Sequence, residues 1–291
     1  MSTSLLLSGC IFADAPILFP KGPIAEAQRD LLFDAFYLMM IVTIPVIVLA
    51  IWFGIRYRSK GKATYTPDWG GSWQYETVIW AVPAILVAVI GTLLWTSTHK
   101  LDPYKAIVSD QPVFQVQAVA LDWKWLFLYP DLGIASVNEL AFPADRPLQI
   151  EITSDTVMNS LMIPALGGQI YAMAGMRSEL NLLANAPGSF TGRNTMFSGD
   201  GFADQHFQAH AMSVDDFSAW QSRVTASASA LDAAAYSALH KQSTAHPVTY
   251  YARYEDCLFR DIIVKYAPRQ GDHAAGHDGQ RLGDIPCREA S

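Results

Sequence analysis

The N-terminal third of the chain contains two long apolar runs. Residues 35–55 and 77–98 are rich in Leu, Ile, Val and Ala and include no Asp, Glu, Lys, Arg or His. About 20 such residues in a helix cross the ~30 Å hydrocarbon core of a bilayer. Each run contains one proline, Pro45 or Pro83, and membrane helices tolerate proline better than soluble helices do. The pattern predicts two transmembrane helices joined by residues 56–76.

The loop between the two runs carries an excess of basic side chains. It contains Arg56, Arg58, Lys60 and Lys62 against the acid Asp68. Because short basic loops stay on the cytoplasmic side of a membrane, we expect this loop in the cytoplasm and both chain termini outside. Residues 11–34 then form an exported N-terminal segment, and the chain after residue 98 is exported as well.

Beyond the second run, residues 99–212 have the pattern of a β domain. Residues 148–153 alternate apolar and polar side chains, as a half-buried strand does. Prolines punctuate the region at Pro143, Pro147, Pro164 and Pro187. Several short strands at this spacing predict a sandwich or a barrel.

The pattern becomes helical after the β region. Ser213 and Asp216 have the spacing of a capping box ahead of an amphipathic stretch, and two further helical stretches follow. We therefore predict a helical extension over residues 213–268. Residues 269–291 are polar and glycine-rich, and we expect them to form a disordered tail.

The composition is that of a membrane protein. The chain has 291 residues, of which 51% are hydrophobic and 16% are charged, with a formal net charge of −7. Soluble proteins average about 25% charged residues. Because nucleic-acid-binding proteins present a basic stripe, the acidic balance excludes nucleic acid as a partner.

The three cysteines differ in context. Cys10 ends the segment LLLSGC, which has the form of a bacterial lipoprotein processing site, so we predict that residues 1–10 are a partial signal and that Cys10 is acylated. No Lys or Arg precedes Cys10, although signal peptides normally begin with a basic region; the alternative is a chance cysteine. Cys257 and Cys287 lie far apart in the sequence with no neighbouring thiol or ligand, and we interpret both as structural or incidental.

The β region contains several motifs in order. They are residues 122–130 (DWKWLFLYP), 137–143 (VNELAFP), 154–160 (SDTVMNS), 163–176 (IPALGGQIYAMAGM) and 197–202 (FSGDGF). A helical hairpin followed by these motifs resembles subunit II of the haem–copper terminal oxidases, over about residues 10–268. Within that superfamily the chain is similar to the cytochrome bo-type ubiquinol oxidases, in which the exported domain has lost its metal.

The resemblance implies a fold and a complex. The fold would be a membrane hairpin with an all-β, cupredoxin-like sandwich and a small C-terminal helical extension. The complex would oxidise membrane ubiquinol, reduce oxygen to water and pump protons across the bacterial inner membrane, with the sandwich in the periplasm. This chain would be a non-catalytic subunit that binds no cofactor. Its partners would be subunit I, which carries the haems and one copper, subunits III and IV, and membrane lipid.

The resemblance also implies where a copper centre has been lost. Relatives that oxidise cytochrome c hold two coppers with two thiolates, two imidazoles, a thioether and a backbone carbonyl. The matching positions here are Asn159 for the first histidine, Ser198 and Phe202 for the cysteines, and Ala209 for the methionine; only His206 keeps a ligand. Because copper in such centres needs soft donors, we expect no metal site in this chain.

Two tryptophans lie in the first motif after the second membrane helix, and they could serve in packing or in electron transfer. Trp123 and Trp125 are predicted to point the same way as Leu121 and Phe127, which taken alone indicates core or packing aromatics. In copper-bearing relatives the matching pair lies between the copper centre and a haem. Without copper that route has no electron donor, so we predict that Trp123 and Trp125 pack against the partner subunit.

Glu76 is the acidic residue at the start of the second membrane helix. An acid in the first turn of a helix is stabilised by the helix dipole, whereas acids next to hydrocarbon are often functional. The sequence physics leaves both interpretations open. In the family, a glutamate in the setting formed by Glu76, Trp80 and Pro83 lies at the cytoplasmic mouth of a proton path, so the resemblance favours that role.

Two other classes of protein compete with a quinol oxidase subunit. A copper-bearing cytochrome c oxidase subunit II would need the thiolates that this sequence lacks. A stand-alone membrane lipoprotein or assembly module would not need the paired helices or the setting of Glu76. Haem that co-purifies with the chain distinguishes an oxidase subunit from the stand-alone protein.

Overall fold

The computed structural model describes residues 15–58, 61, 64, 66, 68–266 and 287. The helices are α1 (Pro23–Arg56), α2 (Trp73–Lys100), α3 (Val214–Thr225), α4 (Ala233–His240) and α5 (Leu258–Tyr266). The strands are β1 (Phe114–Leu121), β2 (Lys124–Tyr129), β3 (Ile134–Val137), β4 (Glu139–Pro143), β5 (Leu148–Ser154), β6 (Asn159–Met162), β7 (Gln169–Ala172), β8 (Ser178–Leu182), β9 (Gly188–Asn194), β10 (His206–Met212), β11 (Ala230–Leu231), β12 (Thr249–Tyr251) and β13 (Arg253–Tyr254). The chain forms two compact units, residues 29–102 and the remainder.

The first of these units is the helical hairpin. The most apolar window of α1 has a mean hydropathy of 2.6, and that of α2 has a mean hydropathy of 2.4. Both helices are long and apolar enough to cross a bilayer. Both begin before the predicted spans, because polar residues with good helix propensity, such as Glu26 and Gln28, continue α1 outside the apolar run. The predicted exported segment, residues 11–34, is therefore helical in its second half.

The second unit is a sandwich of two sheets. One sheet has the order β12-β3-β2-β1-β5-β8 and the other β4-β10-β9-β6-β7. The pairs β1–β5 and β4–β10 are parallel, and the other pairs within these two sheets are antiparallel. The inner faces share a core that includes Val116, Trp125, Leu140, Ile152 and Phe207. The predicted hairpin, all-β sandwich and C-terminal helices are confirmed.

The segment before the membrane part of α1 is fastened to the sandwich. The Lys21 N–H donates to the Ala165 carbonyl at 2.8 Å, and the Lys21 carbonyl accepts from the Asn185 N–H at 2.9 Å. The backbone of the next residue, Gly22, lies against that of Leu183, because a Cβ added at Gly22 would be 2.1 Å from the Leu183 carbonyl oxygen. Residues 15–28 therefore belong to the same unit as the sandwich.

The C-terminal extension covers the outer face of the six-stranded sheet. Val119, Leu121, Leu126 and Leu128 on that face form a second core with side chains of the extension, including Phe259 and Ile262. Ser213 is the N-cap of α3, as the predicted capping box requires, because its hydroxyl accepts from the Asp216 N–H; the hydroxyl also donates to the Asp216 carboxylate. The sequence pattern did not indicate β12, which adds to the edge of the sheet, nor the short β11–β13 pair.

The interpretation of two cysteines as lacking a neighbouring thiol is wrong. Cys257 and Cys287 form a disulfide across 30 residues of sequence. The chain brings Cys287 back to the start of α5, and the spacing of residues in the sequence does not reveal this long-range contact. The other residues of the predicted tail, 269–291, lie outside the described residues, as do the predicted signal, residues 1–10, and Cys10.

Candidate functional site

One end of the sandwich, which includes two of the predicted lost-ligand positions, holds a buried cluster of polar side chains. We refer to Asn159, Asn194, Ser198 and Gln205 as the amide cluster. The Asn194 carboxamide nitrogen donates to the Asn159 oxygen at 2.7 Å, the Gln205 oxygen at 2.9 Å and the Ser198 hydroxyl at 3.2 Å. The Ser198 hydroxyl also donates to Gln205 at 3.1 Å.

Asn194 is the centre of the amide cluster. Its carboxamide oxygen accepts backbone N–H groups from Ser160 at 2.8 Å and Met196 at 3.0 Å. The residue is 4% exposed, and Asn159 and Gln205 are 0% and 1% exposed. The cluster therefore joins the start of β6, the end of β9 and the loop before β10 in one network, with both polar atoms of the Asn194 side chain hydrogen-bonded.

The remaining predicted positions of the lost centre do not join this network. Ala209 faces the sandwich core with 0% exposure, and Phe202 contacts the ring of Phe197 at 5.7 Å between centroids. His206 is exposed, pairs in register with Arg193 and lies on the opposite face of β10 from Ala209. Within the described part of the chain, no three His, Cys, Asp or Glu residues cluster so as to hold a metal ion.

Trp123 lies over the loop that contains Ser198. Its indole N–H donates to the Ser198 carbonyl at 3.1 Å, and its backbone has the left-handed φ of 61°. Gly201 permits the ring to approach, since a Cβ at that position would lie 2.3 Å from Trp123 Cδ2. Three neighbouring loop side chains are exposed: Val157 at 56%, Met158 at 41% and Phe197 at 75%. We call Trp123 and these three residues the apolar tip.

The prediction that Trp125 packs against a partner subunit is wrong. Trp125 has 0% exposure and lies between the sheets, with its ring 6.0 Å from that of Phe207. Leu121 and Lys124 are cross-strand partners, so residues 122–123 form a two-residue turn, and β2 runs back beside β1. Residues on β2 therefore do not continue the alternation of β1, and Trp125 lies on the opposite face from Leu121.

A second polar cluster joins the sandwich to the C-terminal extension. We call Asp155, Tyr236, His240, Lys265 and Tyr266 the Asp155 cluster. The carboxylate of Asp155, whose side chain is 1% exposed, accepts from the Tyr236 hydroxyl at 2.6 Å and the Lys265 ammonium at 2.8 Å. His240 Nε2 lies 3.3 Å from the same carboxylate, and the Tyr266 hydroxyl donates to the Asp155 backbone carbonyl at 3.2 Å.

The Asp155 cluster shifts the titration of its members. Burial raises the pKa of Tyr236, and the hydrogen bond and charge of Asp155 raise it further. Burial lowers the pKa of Lys265, but the hydrogen bonds with Asp155 and Tyr266 and the charges of these two groups together outweigh burial, so the net pKa is raised. Both shifts favour the protonated side chains, which are the forms that donate to Asp155.

Lys124 makes a third connection to the extension. It is a fully buried residue whose ammonium donates to the carbonyls of Leu239 at 2.9 Å and Lys241 at 2.7 Å, at the C-terminal end of α4. A cation at this end is stabilised by the helix dipole. Burial lowers the pKa of Lys124, and the charge of Asp122 partly opposes that shift. Lys124 and Asp155 both belong to quoted motifs, but nothing local in the sequence indicates their distant partners.

Glu76 lies in the first turn of α2. Its N–H donates to the Ser72 carbonyl at 3.0 Å, and its side chain is exposed. The carboxylate folds back over Gly71, where an added Cβ would be 2.7 Å from Glu76 Oε1. The Ser72 side chain makes no capping hydrogen bond. Glu76 is the acidic residue in the first turn of α2.

These features define a class of protein, a membrane-anchored β-sandwich with a helical cap, which is the C-terminal extension that contains α3, α4 and α5. The COX Aromatic Rich Motif family model matches residues 226–270, which include most of that cap. The cytochrome bo(3) ubiquinol oxidase subunit 2 of Pseudomonas aeruginosa is 44% identical over 284 residues, covering 97% of this chain and 85% of the relative. The ubiquinol oxidase subunit 2 of Acetobacter aceti is 42% identical over 269 residues, covering 91% and 86%.

More distant similarity extends to other oxidases. The quinol oxidase subunit 2 of Bacillus subtilis is 37% identical over 223 residues, covering 76% of this chain and 69% of the relative. The periplasmic domain of cytochrome oxidase subunit II (CoxB) from Bradyrhizobium japonicum matches 41% of this chain at 22% identity with a TM-score of 0.38. The chain belongs to the family of ubiquinol oxidase subunits 2 of the haem–copper oxidases.

Proposed function

We propose that this chain is the second subunit of a complex that oxidises membrane ubiquinol, reduces oxygen to water and pumps protons. The observation that carries the proposal is the 44% identity to a ubiquinol oxidase subunit 2 over 97% of the chain. Subunit I would hold the haems and one copper and, with subunits III and IV and lipid, would complete the complex. The chain itself would have a non-catalytic, structural role.

The amide cluster supports a sandwich without a dinuclear copper centre. Amide and hydroxyl groups are hard donors, whereas such a centre needs thiolate, thioether and imidazole ligands. In this chain the donors at two of the matching positions, Asn159 and Ser198, already hydrogen-bond to Asn194. These residues do not fit the metal, and electrons would therefore pass from quinol to the partner subunit without crossing this domain.

The proposed location is the bacterial inner membrane with the sandwich in the periplasm. The basic residues of the loop between α1 and α2, among them Arg56 and Arg58, favour the cytoplasmic side for that loop. The backbone hydrogen bonds of Lys21 with Ala165 and Asn185 of the sandwich support this topology, in which the start of α1 and the sandwich would lie on the same side.

The apolar tip is the surface that we propose contacts the large subunit. Val157, Met158 and Phe197 expose 56%, 41% and 75% of their surface although they lie on loops held in place by the buried amide cluster. Exposed apolar groups on an ordered scaffold are typical of protein contact sites. Trp123 takes part in this contact, while the buried Trp125 does not.

The first test is turnover of the complex purified through this chain. We expect oxygen uptake with a quinol as the sole donor, no uptake with reduced cytochrome c, and one copper for each complex. Turnover with cytochrome c and three coppers would instead identify a cytochrome c oxidase. A preparation without haem would identify a stand-alone lipoprotein.

Glu76 is proposed to lie at the cytoplasmic mouth of a proton path into the large subunit. The Glu76→Gln change is expected to lower quinol-driven turnover severalfold, because it removes a group that exchanges protons with the cytoplasm while keeping its shape. The stability cost is expected to be small, about 0.3–1 kcal/mol, since only the interaction with the helix dipole is lost. Steady-state oxygen uptake and proton release measure the effect.

A matched control is the same change in the first turn of the other membrane helix. Glu26→Gln removes an acid from the start of α1, on the opposite side of the membrane in the proposed topology. We expect this variant to keep its turnover. If both variants lose turnover equally, or if Glu76→Gln retains full activity, the proposed role of Glu76 is wrong.

A further inference from the structure

A largely buried carboxylate, outside the two polar clusters described above, accepts hydrogen bonds from two oxidisable aromatic side chains. Glu139 begins β4, and its side chain is 13% exposed. Its Oε1 atom accepts from the indole N–H of Trp220 at 2.7 Å and from the hydroxyl of Tyr250 at 2.9 Å. We call Glu139, Trp220 and Tyr250 the Glu139 triad. A single carboxylate oxygen thus joins β4, α3 and β12.

The two aromatic rings of the Glu139 triad continue a series of ring contacts that begins in the core. The centroid of the fully buried Tyr129 ring lies 5.2 Å from that of Trp220, which is fully buried as well. The Trp220 centroid lies 6.5 Å from that of Tyr250, a half-buried residue. Electrons pass readily between aromatic rings at such short separations. A one-electron oxidation of the core therefore has a path outward to Tyr250.

The hydrogen bond with Glu139 enables Tyr250 to hold this oxidation as a neutral radical. Oxidation makes a phenol hydroxyl strongly acidic, so the electron leaves most easily where a base takes the proton at the same time. The Glu139 carboxylate is such a base, 2.9 Å from the hydroxyl. Burial and the hydrogen bond with Glu139 raise the pKa of Tyr250 to about 12, so the phenol keeps its proton at neutral pH until it is oxidised.

We propose that the Glu139 triad is a radical-transfer site that carries a one-electron oxidation out of the sandwich core to Tyr250. An oxygen-derived one-electron oxidant removes an electron from Trp220 and leaves a radical cation. Tyr250 returns one electron to Trp220 and passes its hydroxyl proton to Glu139, which leaves a neutral phenoxyl radical and a carboxylic acid. A small reductant, such as ascorbate or a thiolate, then gives one electron to the phenoxyl radical while the proton returns from Glu139.

The first test compares Tyr250 with its neighbour Tyr251 in the wild-type chain. Both are half-buried on β12, where successive side chains point to opposite faces, and burial alone raises the pKa of Tyr251. The full-length chain, with the subunits that purify with it, is oxidised by photogenerated tris(bipyridine)ruthenium(III) in the presence of a nitroso spin trap. Peptide mass spectrometry then locates the trapped radicals. We expect several-fold more trapping at Tyr250 than at Tyr251, and equal trapping would overturn the proposal.

The Glu139→Gln variant separates proton acceptance from hydrogen bonding. The amide oxygen of glutamine can still accept from Trp220 and Tyr250, but the amide does not take up the proton of the oxidised phenol. We expect trapping at Tyr250 to fall several-fold and oxidation products of Trp220 to increase. Trapping at Tyr250 that equals the wild-type value would show that Glu139 is not the proton acceptor.

A matched control is the same change at Glu179, another carboxylate with two donors on one oxygen. Its Oε1 atom accepts from Gln149 Nε2 at 2.7 Å and from Asn181 Nδ2 at 2.9 Å, and neither donor is aromatic. Glu179→Gln is expected to leave trapping at Tyr250 unchanged. An equal fall in both variants would mean that the loss of any such carboxylate has this effect, and it would overturn the proposal.

A solvent isotope effect gives a readout that a purely structural role of Glu139 would not produce. Because the proton of Tyr250 moves with the electron, trapping at Tyr250 in the wild-type chain should be lower in deuterated solvent. Equal trapping in the two solvents would show that no proton moves in this step, whether or not the Glu139→Gln variant folds. None of these outcomes depends on quinol oxidase activity, so the radical-transfer site and the proposed function are tested separately.

Discussion

Replacement of Asn194 with aspartate is expected to destabilise the sandwich by about 2–4 kcal/mol, because a buried polar group without partners costs about 1–3 kcal/mol and a charged group costs more. The Asn194 carboxamide nitrogen donates to three acceptors, on Asn159, Gln205 and Ser198. In the aspartate variant an oxygen takes the place of that nitrogen and faces these acceptors without a hydrogen to share. The loops that carry the apolar tip should loosen, because this network joins them.

The pH dependence of the Asn194→Asp variant identifies the cause. Protonation of the new carboxyl restores one donor, so the folded state binds this proton more tightly than the unfolded state, whose aspartates titrate near pH 3.9. The deficit relative to the wild-type chain should therefore shrink as the pH falls toward 4. Thermal unfolding of the purified complex, followed by fluorescence across this pH range, measures it.

Asn185→Asp is the matched control for Asn194→Asp. Asn185 is exposed, so an aspartate there remains solvated, and we expect a change within about 0.5 kcal/mol. Equal effects of the two substitutions, or a deficit at position 194 that does not depend on pH, would contradict the account of the amide cluster as a network of donors matched to acceptors.

The features that the sequence predicted well are those with a local signal. The membrane helices follow from long runs without charge, and α3 follows from the Ser213–Asp216 capping box. The two further helical stretches predicted after α3 correspond to α4 and α5. Each of these depends on residues within a few turns of one another, where periodicity and capping dominate.

The predictions were wrong where the structure depends on contacts between residues far apart in the sequence or on an unusual backbone conformation. The alternation rule failed at Trp125 because residues 122–123 turn the chain back, with Trp123 at a positive φ. The positions of the lost copper ligands were assigned by resemblance, but the role of Asn194 and Gln205 at their centre has no sequence pattern. Asp155 meets side chains about a hundred residues away, and Cys257 meets Cys287; only the folded chain brings these pairs together.

Removal of the buried charge in the Asp155→Asn variant is expected to release the helical cap. Asp155 accepts from Tyr236 and Lys265, with His240 at 3.3 Å. Loss of one member of a buried charged pair costs about 3–5 kcal/mol. Because the Lys265 side chain is 51% exposed and therefore screened by water, we expect a smaller loss of about 2–3 kcal/mol. Faster amide exchange in α4 and α5, with β1 unchanged, would be the structural result.

Alkaline pH separates this mechanism from a loss of packing at the same place. The pKa values of Tyr236 and Lys265 are raised above their ordinary values of 10.0 and 10.5, so both groups bind protons more tightly in the folded state. Their stabilisation is present below pH 10 and is lost as the pH rises above it. The wild-type cap should therefore weaken more steeply above pH 10 than the Asp155→Asn cap does. Asp261→Asn, at an exposed acid of α5 that pairs with its neighbour Arg260, should retain the wild-type slope. Parallel curves for the wild-type chain and Asp155→Asn would show that the carboxylate does not hold the cap through these donors.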